Sequence, residues 1–260
     1  MRGTDGLTLA VAVALAALGS GVLVGRATTT PPLATPLPEV EIVLWAWERP
    51  EDLRFVDPDR VSVAPLVGTV RLHAGGLDVR PRSNALRLPA GVDVLPVVRV
   101  EVDRRSPPRL DGALADRAAA AVVGLARGAA VQVDFDAALS QRQFQRQLVE
   151  RIRRRLPEGA FLSATALASS CLDGGAALLA VDEHLDEVVP MLFRLGPEAA
   201  PLRRRLARGL PLPPPCDRAL GLATDEPAST VPPSHVRLYL FAPRAWDGAL
   251  LREALAEVHR

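Results

Sequence analysis

Lysine is missing from this chain, so its entire basic side is arginine. With Ala, Leu, Arg and Pro abundant, that is a bias of composition and carries no functional signal. The formal net charge is only +1, which excludes the electrostatic footprint of a nucleic-acid binder. Aromatic residues make up 4% of the chain, too few to line a long polysaccharide groove. The four histidines, His73, His184, His235 and His259, lie far apart without ligand spacing. Neither a transition-metal site nor a cofactor is expected, and His184, in Asp182-Glu183-His184, is placed on a surface loop. There is no Gly-x-Ser-x-Gly elbow and no Walker loop. A glycine-rich first turn, which a doubly wound open sheet usually carries, is absent as well.

The chain has 260 residues, 48% of them hydrophobic, enough for the core of one domain. Residues Leu7 to Val24 are free of charge and follow Arg2, the pattern of an export signal. The run is also long enough for a membrane anchor. Residues 1–27 are therefore read as a signal peptide or a signal anchor, with Gly25-Arg26-Ala27 as the cleavage candidate. No cysteine lies nearby to make a lipoprotein. Either way the remainder is expected outside the cytoplasm, periplasmic or extracellular, with the membrane touched only through this segment. Residues 28–38, rich in proline and threonine, read as a linker.

Export makes Cys171 and Cys216 candidates for a disulfide. One follows the fifth expected strand and the other precedes the seventh. In a barrel those are opposite ends, so a bridge needs a loop that climbs the wall.

Residues 39–260 alternate apolar strands with helical segments. Strands are expected at 41–47, 61–67, 94–102, 130–137, 161–168, 188–193, 219–224 and 236–242. A hairpin insertion, 69–73 with 77–80, follows the second strand. Helices are expected at 110–127, stopped by Gly128, at 140–156 with Ser140 as N-cap, at 198–208 and at 246–258. The arginines at 151, 153, 154 and 155 read as a solvated last turn complementing the helix dipole. Eight strands with intervening helices are the count of a (β/α)8 TIM-like barrel, an α/β fold. The domain is small for it, so some helices must be shortened or replaced by the hairpin.

In such barrels reactive side chains come from the carboxyl ends of the strands. The stretch Val131-Gln132-Val133-Asp134-Phe135-Asp136 alternates polar and apolar, which puts Gln132, Asp134 and Asp136 on one face. Unpaired carboxylates are costly in a core and belong to a solvated site. The alternative is that both acids lie past the strand end and cap the next helix. Asp134, Asp136, Glu101 and Asp225 are the catalytic candidates, since neighbouring carboxylates suit acid–base cleavage of a glycosidic bond and raise one another's pKa. Trp47, Glu48, Arg99, Gln132, Arg194, Glu226 and Trp246 are the substrate-binding candidates. Closure of the ring brings Trp246 near Trp45 and Trp47 as a sugar platform, with one of the latter two filling the core.

The Val131 to Asp136 stretch, with Met191 on strand six and Trp246 after strand eight, resembles the chitinase-like glycoside hydrolase barrels. Their fourth-strand motif is apolar-Asp-apolar-Asp-aromatic-Glu. The resemblance implies that Asp136 stands at the position of the acid Glu and Asp134 at that of the residue orienting the substrate amide, with Gln132 replacing the first Asp. The segments IVLWAWERPEDLRF, VQVDFDA, TALASSC, VPMLFRLG, LGLATDEP and VRLYLFAPRAW resemble a family of exported bacterial proteins of unknown function, which implies a glycosidase-like barrel without an assigned reaction.

The resulting expectation is an exported barrel that binds a carbohydrate and hydrolyses a glycosidic bond. The alternative is a non-catalytic carbohydrate-binding or envelope scaffold protein, whose acids are locked into bridges with Arg99 or Arg194.

Overall fold

The computed structural model describes residues 40–171, 184–195, 200, 202, 204, 205, 208, 212, 214–226 and 237–258. The expected signal segment and linker lie outside the described residues.

The strands are β1 (Glu41–Ala46), β2 (Glu51–Asp52), β3 (Val61–His73), β4 (Gly76–Pro81), β5 (Leu86–Arg87), β6 (Val97–Val102), β7 (Ala130–Asp134), β8 (Phe161–Leu167), β9 (Glu187–Met191), β10 (Ala219–Ala223) and β11 (Arg237–Phe241). The helices are α1 (Gly112–Ala126), α2 (Arg142–Arg155) and α3 (Gly248–Val258). Residues 200, 202, 204 and 205 are helical as well, inside the expected 198–208 helix, whose other residues are not described.

The main sheet runs β1-β11-β10-β9-β8-β7-β6-β3-β4, and β1 also pairs with β3. That second pairing closes the ring. All strands of the ring are parallel to their neighbours, and only β4 is antiparallel, hung on the far end of β3. The fold is a closed, eight-stranded TIM-like (β/α)8 barrel with few helices.

The second expected strand and the first arm of the expected hairpin are one continuous strand of 13 residues, β3. Its register against β6 shifts between Leu66 and Gly68. A Cβ on Gly68 would lie 2.8 Å from the Arg80 carbonyl oxygen, so only glycine lets β4 approach there. The first half of β3 belongs to the barrel wall. Its second half climbs above the barrel between β4 and β6.

Period-two alternation decides which side chains fill the barrel. Val43, Trp45, Ala64, Leu66, Val97, Val189, Ala219 and Tyr239 form the inner cluster, and the opposite faces of the same strands join α1, α2 and α3 in a larger outer core. Trp45 occupies the space that Gly221 leaves, since a Cβ there would lie 2.7 Å from the indole.

α1 starts with Asp111, whose carboxylate accepts from the Leu114 N–H, and stops at Arg127 in the left-handed conformation (φ 52), one residue before the expected stop at Gly128. α2 begins at Arg142, later than expected. Ser140 lies in a short 3-10 turn, Leu139–Gln141, and no side chain caps α2 by hydrogen bonding. The arginine run of α2 is tied down: Arg151 and Arg155 both reach Asp116 of α1, and Arg153 reaches Asp186.

Cys171 and Cys216 form the expected disulfide across 45 residues, with Cα atoms 6.1 Å apart. The topological objection is met by position: Cys171 ends the 3-10 turn after β8, and Cys216 lies in a turn before β10.

Candidate active site

β7 is the element that fixes the site. Val131 and Val133 face the helices, which turns Gln132 and Asp134 into the barrel. Both acids of the stretch therefore stand on the barrel side, Asp134 as the last residue of β7 and Asp136 just past it. Neither caps α2.

Asp134 is only 4% exposed, and its charge is compensated. Arg99 of β6 donates from Nε to Oδ2 at 3.0 Å, and Thr165 of β8 donates its hydroxyl to Oδ1 at 2.8 Å. The Arg99 guanidinium lies 4.8 Å from the Trp47 ring centroid, stacked on the indole. Its other edge reaches Glu101 at 3.6 Å. Asp134, flanked by Asp136 as well, pins Arg99 in its charged form despite partial desolvation.

Asp136 differs. It is exposed, and among the described residues its carboxyl has no hydrogen-bond partner. The protein packed around it strips part of its hydration, and the neighbouring Asp134 charge repels its own. Together these push its pKa up to about 6, against the pull of Arg99. The carboxyl thus keeps its proton to a higher pH than an ordinary aspartate and has direct access to solvent.

Both acids open into a cleft of about 650 Å³ with Arg99, Glu101 and the loop following β6. That volume falls in the range of small-molecule sites, roughly 300–1,000 Å³. Across the mouth, the strand ends of β1, β9 and β11 supply a half-buried aromatic wall. Trp47 meets Phe241 edge to face at 6.3 Å, and Phe241 stacks on Phe193 at 5.3 Å. The acids at the end of β7 thus share the mouth with an aromatic group at the ends of β1, β9 and β11.

The remaining expected site residues divide. Glu101, Trp47 and Arg99 join the two aspartates, and Glu48 is exposed on the loop after β1. Gln132, expected to touch substrate, is instead a core residue. It accepts from the Trp45 indole at 2.7 Å and donates to Ser163 at 3.0 Å, with no exposed surface. Trp246, expected as part of a sugar platform, is buried beneath the loops. Its indole donates to the Trp45 carbonyl at 2.9 Å, and its backbone N–H donates to the buried Glu51. Of the three tryptophans, Trp45 fills the barrel and Trp47 alone reaches the mouth half-buried.

Asp225 does not join Asp134 and Asp136. It follows β10, which β8 and β9 separate from β7. Arg194 closes both Asp225 and Glu226, each at 2.7 Å, while its own backbone N–H donates to Glu226. The result is an ion cluster on the far side of the same rim.

Two features escaped the sequence reading. Thr165 holds Asp134, and the alternation Ser163, Thr165, Leu167 was the signal that it faces the same interior. Below the acids, a polar chain crosses the barrel. Ser163 and the Tyr239 hydroxyl both donate to Glu187, and Arg237 bridges Glu187 and Glu41. Burial beside the Glu187 charge drives the Tyr239 phenol far above its ordinary pKa. This plug closes the barrel beneath Asp134 and leaves the mouth as the open end. Among the described residues no three of His, Cys, Asp and Glu converge as a metal site.

No protein-family model matches the chain, and no curated protein matches it. Solved structures do. One is described as a chitinase A candidate from Streptomyces coelicolor, with TM-score 0.56 and 12% identity over 85% of this chain and 97% of that one. Another is an endo-beta-N-acetylglucosaminidase from Cordyceps militaris, with TM-score 0.49 and 10% identity over 85% of this chain and 92% of that one. A doubly substituted mutant of that enzyme, in complex with fucosyl-N-acetylglucosamine-Asn, matches to the same degree. At such identities the likeness is one of fold alone, the TIM-like barrel.

Proposed function

We propose that this chain is an exported barrel that binds a glycan at its carboxyl-terminal mouth and hydrolyses a glycosidic bond there. The observation that carries the reading is the pair Asp134 and Asp136. One acid is fixed by Arg99 and Thr165, while the other has no hydrogen-bond partner among the described residues, opens into the cleft, and is pushed up to about 6. A carboxyl raised in this way beside a second one held by two donors suits the two roles that such cleavage needs.

Asp136 donates its proton to the glycosidic oxygen as the bond to the anomeric carbon breaks, and the leaving sugar departs as an alcohol. Asp134, held in place by its two donors, lends negative charge to the cationic transition state. Water then adds to the anomeric carbon and returns a proton to the Asp136 carboxylate. Trp47, with Phe193 and Phe241, offers an apolar wall for sugar ring faces. The fold shared with the Streptomyces coelicolor protein supports the reading, and a disulfide suits an oxidising compartment outside the cytoplasm.

A second reading, binding without hydrolysis, is favoured by one observation. Four acids around the mouth are engaged: Asp134 and Glu101 by Arg99, Asp225 and Glu226 by Arg194. One experiment separates the two. Oligosaccharides are incubated with the full chain and with Asp136→Asn, and both binding and new reducing ends are measured. Hydrolysis requires new ends that vanish in the variant while binding persists. Binding with no new ends in either protein selects the second reading.

A further inference from the structure

The cleft does not end at the acids. It continues along the loop after β6 to Arg104 and Arg105, which line it together with Arg71, Arg99, Asp134 and Asp136. The arginines of this cleft are in two different states. Arg99 is engaged by Asp134 and Glu101, and Arg71 is engaged by Asp103 at 3.0 Å. The side chains of Arg104 and Arg105 are exposed and have no hydrogen-bond or ion-pair partner among the described residues.

The loop that presents them is held in place. The Asp103 N–H donates to the Leu72 carbonyl at 2.8 Å, and the Ala74 N–H donates to the Ser106 carbonyl at 2.9 Å. The Asp103 carboxylate in turn accepts from the Arg105 backbone N–H at 2.9 Å. The upper half of β3, which rises above the barrel, is the rail on which this loop is mounted. Two guanidinium groups without partners among the described residues are thus carried on an anchored backbone at one end of the cleft that also holds Asp136. The acids that would neutralise them are already spoken for by Arg71 and Arg99. When Asp136 carries its proton, the uncompensated charge left in the cleft is positive.

We propose that the outer arm of the cleft, at Arg104 and Arg105, receives an anionic group of the glycan, a carboxylate or a phosphate carried on the sugar chain. This rests on the glycan reading above and names its substrate class. A guanidinium fork pairs with either anion through two parallel N–H···O bonds, which gives orientation as well as attraction. Binding an acidic chain there sets its register relative to Asp136. A neutral chain gains nothing from these two side chains.

The test uses the full chain and three probes of equal length: chitotriose, trigalacturonate and a phosphorylated chitotriose. Binding is measured by calorimetry at low and high salt. At least one acidic probe is expected to bind about tenfold or more tighter than chitotriose, with the advantage shrinking as salt is added. The tighter of the two acidic probes identifies the anion. Arg104→Ala/Arg105→Ala is expected to abolish the advantage while leaving chitotriose unchanged, and Arg104→Lys/Arg105→Lys to keep part of it. Binding of all three probes with equal affinity overturns the inference and leaves the glycan reading standing. Acidic probes bound equally by the wild type and the alanine variant do the same. Failure of every probe to bind overturns both.

Discussion

Arg99 donates from Nε to Asp134 Oδ2 at 3.0 Å, from a neighbouring strand and in register, since Arg99 and Asp134 are paired across β6 and β7. Removing the cation leaves a carboxylate buried with only Thr165 as donor. Arg99→Met is therefore expected to cost about 2–4 kcal/mol in urea unfolding. Asp134→Asn, which keeps the shape and the bond from Thr165, is expected to cost less. Equal and negligible costs would show that the pair contributes nothing to the fold.

Two glycines make opposite predictions. Gly221→Ala forces a methyl to within 2.7 Å of the Trp45 indole inside the barrel. Overpacking of this kind costs about 1–3 kcal/mol. Gly124 lies in α1 with open space where a Cβ would go, so Gly124→Ala is expected to stabilise by about 0.5–1 kcal/mol. Thermal unfolding of the two variants should shift in opposite directions.

Reduction of Cys171–Cys216 frees a loop of 45 residues in the unfolded chain. The expected loss is about 2–4 kcal/mol, measured by denaturant unfolding with and without a reductant. The double variant Cys171→Ser/Cys216→Ser should match the reduced protein.

Asp136 is expected to titrate near 6 rather than at its ordinary 3.8, read by carboxyl carbon NMR. Asp134→Asn should lower the midpoint by removing a like charge, and Arg99→Met should raise it. The sign for stability follows from the raised value. Native protein favours the neutral acid, so the contribution of Asp136 is full below about 3.8 and is lost as pH rises through about 6. Asp136→Asn should flatten stability in that window. A midpoint at the ordinary carboxylate value would contradict the desolvation assigned to the cleft.

The barrel and the orientation of Asp134 and Asp136 were legible because period-two alternation is a local property, and β7 carries it over consecutive residues. What was not legible depended on partners distant in the chain. Gln132 looks like a site residue on its own strand, and only Trp45, 87 positions away, and Ser163, 31 positions away, draw it into the core. Trp246 follows the last strand of the ring as a platform residue would, but its indole N–H is needed by the Trp45 carbonyl. Asp225 shares a rim with Asp134, yet Arg194 holds it on the far side. The strand expected at 61–67 and the hairpin arm expected at 69–73 are one strand, and the register shift between Leu66 and Gly68 that joins them has no local signal of its own.

The most direct test of the central claim is the pH dependence of reducing-end release from an oligosaccharide, compared between the full chain and Asp136→Asn. The account predicts a rate that falls as pH rises through about 6, with no release by the variant at any pH. Release by Asp136→Asn at the wild-type rate, with the same falling limb, would contradict it.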